Sequence, residues 1–186
     1  MNPILLDIPS ELLTPRLRLR LPQPGDGVVV FNTVRNSLPE LKQWMPWATD
    51  SYSLDNAEEW VRRAASQFHS RQQLGFAIFD RETNEHIGNT SAFDFDWNIP
   101  KGEIGYWLST SHCGKGLMTE AVAALTNLLF EICKLQRVQI CADVRNMKSC
   151  AVAERAGYQF EGVLRNDRRD ARGQITNMKI YSRVPI

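Results

Sequence analysis

The residues with the clearest chemical potential form the run Ser111-His112-Cys113-Gly114-Lys115-Gly116-Leu117-Met118-Thr119-Glu120-Ala121, where two glycines flank a lysine directly before a long apolar stripe. Glycines let a backbone approach a ligand closely, and the unpaired N–H groups and dipole of a helix start favour negative charge. The stretch therefore suits an anion such as a phosphate. Its plainer reading is a helix N-terminus whose donors meet water beside a solvated Lys115. Two phosphate motifs do not fit. The pattern G-x-x-x-x-G-K-[ST] is absent, because Lys115 follows Gly114 but precedes Gly116, and G-x-G-x-x-G begun at Gly114 fails at Thr119. ATP and NAD therefore find little support.

Metal chemistry finds no ligand set. Cys113, Cys133, Cys141 and Cys150 form no Cys-x-x-Cys pair, and His69, His86 and His112 lie in unrelated segments. No metal is expected, and the thiols read as reduced in a cytoplasmic protein. A net charge of +1 argues against a strongly electrostatic nucleic-acid binder. The charged run from Arg165 to Gly173 reads as a solvated hairpin or edge, with contact to nucleic acid or an acidic acceptor as the alternative. No segment approaches the ~20 apolar residues of a membrane span, and the acidic, non-basic start MNPILLDIPSELL predicts no secretory signal.

The elements that must position these groups follow from periodicity. At 186 residues, 43% of them hydrophobic, the chain suits one domain over 1–186 with its own core. Arg16 to Leu21 alternates as a strand, and Asp26 is placed to cap a short helix toward Arg35. Residues 54–71 form an amphipathic helix with Ala57, Trp60, Val61, Ala64, Ala65 and Phe68 on one face. Strands at 75–80, 87–97 and 103–109 make an antiparallel meander. A helix then carries Leu117, Ala121, Ala124, Leu125, Leu128, Leu129 and Ile132 as its apolar stripe, with Glu120, Thr126, Asn127 and Glu131 opposite. A strand at 138–144, a helix at 149–156 stopped by Gly157, and two strands joined across Arg165–Gln174 complete an α/β chain. The order implies a mixed sheet covered by helices.

The segments Glu103-Ile104-Gly105-Tyr106-Trp107-Leu108, Gly114 to Ala121, and Asn146 through Ser149 to Gly157-Tyr158 together resemble the GNAT superfamily of acetyl-CoA-dependent N-acetyltransferases. Within it, the chain is most similar to the ribosomal-protein N-terminal acetyltransferases, and the resemblance runs from Arg16 through the C-terminal strands. It implies a mixed, mostly antiparallel central sheet flanked by helices, with acetyl-CoA as cosubstrate. By resemblance, Cys113, Gly114, Lys115, Gly116, Leu117 and Met118 hold the coenzyme pyrophosphate through backbone N–H groups. Trp107, Leu108 and Ser109 border the acetyl and pantetheine arm, and Asn146 meets the same arm. Two departures from the superfamily loop pattern stand at its ends. Cys113 removes a side-chain donor and Met118 crowds a position usually small, which weakens the expected affinity but keeps the ligand.

Acetyl transfer needs a neutral amine, a polarised thioester and a proton for the departing thiolate. An α-amine is already about a tenth neutral at pH 7, whereas a lysine is neutral only to about 0.04%. The resemblance makes Glu103 the candidate base, direct or through water; an exposed carboxylate or one paired with an arginine is the other reading. The usual superfamily tyrosine acid falls on Ala153 and is missing. Ser149 matches a serine assigned to thiolate protonation in similar enzymes, and equally reads as a first-turn serine supporting the Asn146 cap. Tyr158 is assigned to the core. Cys113 beside a helix start suggests a covalent nucleophile, but direct transfer is preferred. Trp44 and Trp47 are candidates for gripping an incoming peptide end, with core packing or a homodimer contact as the other readings. The expected function is acetylation of a protein N-terminal α-amine, with a ribosomal protein as a candidate. A small amine, polyamine or antibiotic acceptor and a noncatalytic acyl-CoA-binding module are the alternatives.

Overall fold

A computed structural model describes residues 2–185. One eight-stranded sheet runs through them in the order β1-β2-β3-β4-β5-β6-β8-β7. Its strands are β1 (Glu11–Leu13), β2 (Leu17–Arg20), β3 (Leu74–Asp80), β4 (His86–Asp96), β5 (Lys101–Leu108), β6 (Arg137–Asp143), β7 (Gln159–Arg169) and β8 (Ile175–Arg183). The helices are α1 (Gly27–Leu41), α2 (Leu54–Ser70), α3 (Leu117–Glu131) and α4 (Met147–Arg155). Every neighbouring pair is antiparallel except β5 and β6, which α3 joins in parallel. The mixed, mostly antiparallel sheet is the expected one.

Helices cover both faces. On β5 the Trp107 side chain joins a cluster with Val30, Val34 and Leu38 of α1 and Ala57 and Val61 of α2. Its neighbour Tyr106 turns the other way and reaches Ser149 of α4, as the period of two along a strand requires. From α3 the side chains of Ala121, Val122, Leu125 and Leu129 enter the main core and are fully enclosed. Each leucine so buried contributes roughly 1.5–3 kcal/mol.

Several local expectations change. Asp26 stands at the N-cap position of α1, as expected, but its side chain does not cap the helix; its carboxylate accepts from Arg20 at 2.6 and 2.8 Å and from the Gln23 N–H at 2.7 Å. The helix also runs past Arg35 to Leu41, through Pro39, because Val34, Leu38 and Leu41 continue its buried face. By contrast, α2 has the capping box that its sequence allows, with Ser53 and Asn56 exchanging bonds. Thr126, read as part of the polar face of α3, is fully buried: its hydroxyl donates to the Val122 carbonyl at 2.7 Å and lies 2.6 Å from the Tyr158 hydroxyl. Tyr158 is core, as expected. Ile132, placed on the apolar stripe, is exposed beyond the end of the helix. The charged run is an exposed hairpin at the sheet edge, as expected, but its connection is shorter: β7 continues to Arg169 and the turn occupies only Asp170 to Gln174.

Candidate active site

The parallel pairing of β5 with β6 covers only Lys101, Gly102 and Glu103 against Arg137, Val138 and Gln139. Beyond these residues β5 stays with β4 and β6 stays with β8, so the two strands diverge. The Ser109 N–H donates to the Ile87 carbonyl at 2.7 Å. Alternation along β5 therefore turns the main-chain groups of Tyr106 and Leu108 toward the gap, without a strand partner. A cavity of about 810 Å³ occupies this wedge. Trp44, Trp47 and Tyr52 line one side of it, Asn146 and Ser149 the other, and Glu103 stands at its apex.

Glu103 is 3% exposed. Gln139 donates to its Oε2 at 3.0 Å, and Arg168 Nη2 lies 3.1 Å from each carboxylate oxygen. A buried carboxylate needs such partners, because an unpaired one carries a heavy desolvation cost. The arginine-paired reading of Glu103 is thus the observed geometry, and any basic role must operate from within it. The other two carboxylates on the cavity wall are also held. Arg145 bonds both Asp143 and Asp170, at 2.6 and 2.9 Å. It pulls Asp143 down to about 2 and also lowers Asp170. Burial pushes the Cys141 thiol, on the same wall, up to about 12. No histidine or lysine lines the cavity among the described residues.

Asn146 caps α4 by accepting the Ser149 N–H at 3.1 Å. That capping fixes the turn carrying Ser149, whose hydroxyl lies 3.2 Å from the Tyr106 hydroxyl. Ala153, one turn on, is fully buried and offers no proton. On the opposite wall Trp47 is 42% exposed, its ring 5.9 Å from that of Trp107 and 5.7 Å from Tyr52. Trp44 is half-buried beside it. The two tryptophans therefore edge the cavity instead of closing a core.

The glycine loop lies off this cavity, so Leu108, Ser109 and Cys113 through Met118 do not line it. A turn over Thr110–His112 leads to Gly114 and Gly116, whose φ values of +78° and +76° suit glycine. Gly116 is the N-cap of α3, and open space lies beside Gly114. Leu117 and Met118 bury their side chains in the core, so Met118 does not crowd the loop. Arg16 braces the loop from the entry to β2. Its Nη1 donates to the Lys115 carbonyl at 2.9 Å, and its Nε to Glu120 at 2.7 Å. Thr14 also donates to Glu120, at 2.6 Å. The His112 ring turns to the hydroxyls of Ser109 and Ser111, while the Cys113 thiol faces the Ser109 carbonyl. An open, glycine-lined backbone beside an unpaired strand edge fits a ligand with a phosphate end and an extended amide-bearing arm.

The wedge therefore gathers Trp44, Trp47, Glu103, Trp107, Asn146 and Ser149, and the loop forms a second station. Three participants escape a reading of the sequence alone: Tyr106, Gln139 and Arg168. Tyr106 lies inside a strand whose motif is recognisable, but nothing local signals its tie to α4. Arg168 is hidden in a run that looks solvated.

Residues 16–159 match the model of the family described as Acetyltransferase (GNAT) domain. A Bacillus subtilis protein named as a candidate ribosomal N-acetyltransferase is 32% identical over 155 residues, covering 81% of each chain. The ribosomal-protein-serine acetyltransferase of Escherichia coli is 30% identical over 152 residues, covering 77% of this chain and 80% of its own. Among solved structures, a candidate ribosomal-protein-serine acetyltransferase from Vibrio cholerae superposes with a TM-score of 0.84 at 28% identity, over 100% of both chains.

Proposed function

The chain belongs to the GNAT acetyltransferase family, and from that premise we propose that it transfers acetyl from acetyl-CoA directly to the α-amine of a protein N-terminus, with a ribosomal protein as the substrate. The enzyme class and the cosubstrate follow from the family, which sets aside a noncatalytic acyl-CoA module. The acceptor is our reading. One observation carries it: each carboxylate on the wedge wall is already paired with an arginine, so no free-standing base faces the amine. Such a site favours an acceptor that supplies its own neutral form, and an α-amine does so far better than a lysine. The names of similar enzymes point the same way.

In this reading the glycine loop holds the coenzyme phosphates, the unpaired edge of β5 holds the arm, and Asn146 steadies it. Trp44 and Trp47 receive the first residues of the peptide. Glu103, held by Arg168 and Gln139, orders a water that takes the amine proton. Residues 1–186 act as one domain, in the cytoplasm where ribosomes are assembled. The test is to incubate the protein with acetyl-CoA and peptides beginning with Ser, Ala or Met, beside lysine peptides blocked at their N-termini, and to locate added acetyl by mass spectrometry. Acetyl on free N-termini alone is expected. Modification confined to lysine, or to small amines such as polyamines, overturns the reading.

A further inference from the structure

The resemblance already gives Ser149 a part in protonating the thiolate, but the tyrosine hydroxyl beside it has no part in the chemistry described so far. Tyr106 stands three residues beyond Glu103 on β5, and strand parity sends it to the opposite face of the sheet. Its Oη lies 3.0 Å from the Ser149 carbonyl oxygen and 3.2 Å from Ser149 Oγ. Both residues line the cavity. The carbonyl can only accept, whereas each hydroxyl can donate once and accept. Two arrangements therefore interchange by rotating O–H bonds. In one, Ser149 donates to Tyr106, which donates to the carbonyl. In the other, Tyr106 donates to Ser149 Oγ and the serine proton is free to point into the cavity. Asn146 holds the Ser149 N–H, so the serine stays in place while its proton turns. Burial pushes the phenol up to about 12, which keeps it protonated, and hence a donor, throughout the working range of pH.

We propose that Tyr106 and Ser149 form a two-hydroxyl relay that delivers a proton to the departing coenzyme A thiolate. The acceptor nitrogen forms its bond to the acetyl carbon, and the C–S bond then breaks with its electron pair going to sulfur. Sulfur takes the Ser149 Oγ proton as Oγ takes the Tyr106 proton. The proton released by the nitrogen passes to water, and solvent returns one to Tyr106. Amine plus thioester thus gives amide plus thiol, with charge and protons balanced. Ser149 meets the sulfur; Tyr106 acts through it, feeding and orienting its proton. An aliphatic hydroxyl alone is a poorer acid than a phenol, so the pair does what Ser149 alone does weakly. The relay rests on acetyl transfer itself and on Ser149 facing the thioester, and it is independent of which amine accepts.

The test compares wild type, Tyr106→Phe, Ser149→Ala and the double variant, each as the full chain. Single-turnover transfer is measured from acetyl-CoA and from the acetyl thioester of 4-nitrothiophenol, whose thiolate leaves without a proton. Coenzyme A affinity is measured by calorimetry. Whatever amine the wild type accepts serves as acceptor, or water if it accepts none. Failure of the peptide reading then shows in the wild type, and failure of the relay shows in the variants. Tyr106→Phe is expected to slow transfer from acetyl-CoA about 100-fold, to keep coenzyme A affinity within about twofold, and to lose most of its deficit with the nitrothiophenol donor. The double variant should be no slower than Ser149→Ala. An equal deficit with both donors makes Tyr106 a structural support only, and an unimpaired Tyr106→Phe removes it; either overturns the relay.

Discussion

Sixty-five residues separate Glu103 from Arg168 along the chain, yet one guanidinium nitrogen of Arg168 lies 3.1 Å from both oxygens of the Glu103 carboxylate. The carboxylate is almost completely buried, whereas the arginine side chain keeps 42% of its exposure. The two partners therefore depend on each other unequally. Removing the arginine strands a charge in the wedge; removing the charge leaves an arginine that can turn to water.

The expected result is that Arg168→Met destabilises the protein by about 2 kcal/mol, while Glu103→Gln costs less. Glu103→Gln combined with Arg168→Met should recover part of the first loss. Urea unfolding of the four proteins measures the cycle, and strict additivity would show that the pair is not coupled. In turnover, Glu103→Gln should be slower by about 100-fold with unchanged acetyl-CoA affinity. Equal turnover across pH would remove Glu103 from the chemistry.

Trp47 and Trp44 should act on the acceptor alone. Truncating either to alanine removes an aromatic contact of about 0.5–1.5 kcal/mol, so acceptor KM should rise between about 2- and 10-fold. Acetyl-CoA affinity should not move, because the glycine loop lies off their wall of the cavity. A variant with normal KM and a lowered melting temperature would assign the rings to packing.

Arg16 should govern the cosubstrate instead. It joins the Lys115 carbonyl to Glu120 in the first turn of α3, setting the path of the loop between two left-handed glycines. Arg16→Ala is predicted to weaken coenzyme A binding about tenfold, or about 1.4 kcal/mol, with kcat nearly unchanged. Calorimetry of coenzyme A binding decides this; an unchanged Kd means that the loop holds its shape without the brace.

Stability should fall on the acid side of neutrality because of His86. Its Nδ1 lies 2.9 Å from the Thr33 hydroxyl and its Nε2 2.9 Å from the Asn89 side chain, tying α1 to β4. Burial lowers its pKa, with Asn89 and Asp26 opposing the shift and Arg20 reinforcing it. The unfolded chain therefore binds this proton more readily than the folded one. The stabilisation is complete above the unfolded value of about 6.5 and is lost as pH falls below it. Melting curves at pH 7.5 and 5.5 should show a fall that shrinks by about 2–4 °C in His86→Gln. Identical pH dependence in both proteins would place the acid sensitivity elsewhere.

The parts of the fold that could be read in advance are those set by short-range pattern. Leu17 and Leu19 alternate with arginines and are both buried. The α2 stripe from Ala57 to Phe68 and the Asn146 cap are likewise local, and each stands where its spacing puts it. Asp26 misled because a capping residue type was claimed by a stronger partner, Arg20, from the preceding strand. Thr126 misled because one buried hydroxyl finds its partner 32 residues away, on Tyr158. The site divides in the same way. Its glycine loop and Asn146 are contiguous motifs, whereas Arg168 and Tyr106 gain meaning only when the sheet brings β7 and α4 to β5.

The short parallel contact between β5 and β6 makes the sheet two arms with a narrow seam. Among the described residues five strands lie on one side and three on the other, and the parallel ladder between them spans three facing residue pairs, reinforced by the bonds of Gln139 and Arg168 to Glu103. An extended ligand that offers amides along the open edge supplies rungs which the strands lack. Under the proposed placement of the coenzyme arm, closing the sheet and filling the wedge would be a single event, and breathing at the seam and escape of the cosubstrate would share one equilibrium. Amide exchange at Tyr106 and Leu108 should be fast in the empty protein and slow once coenzyme A lies between the arms.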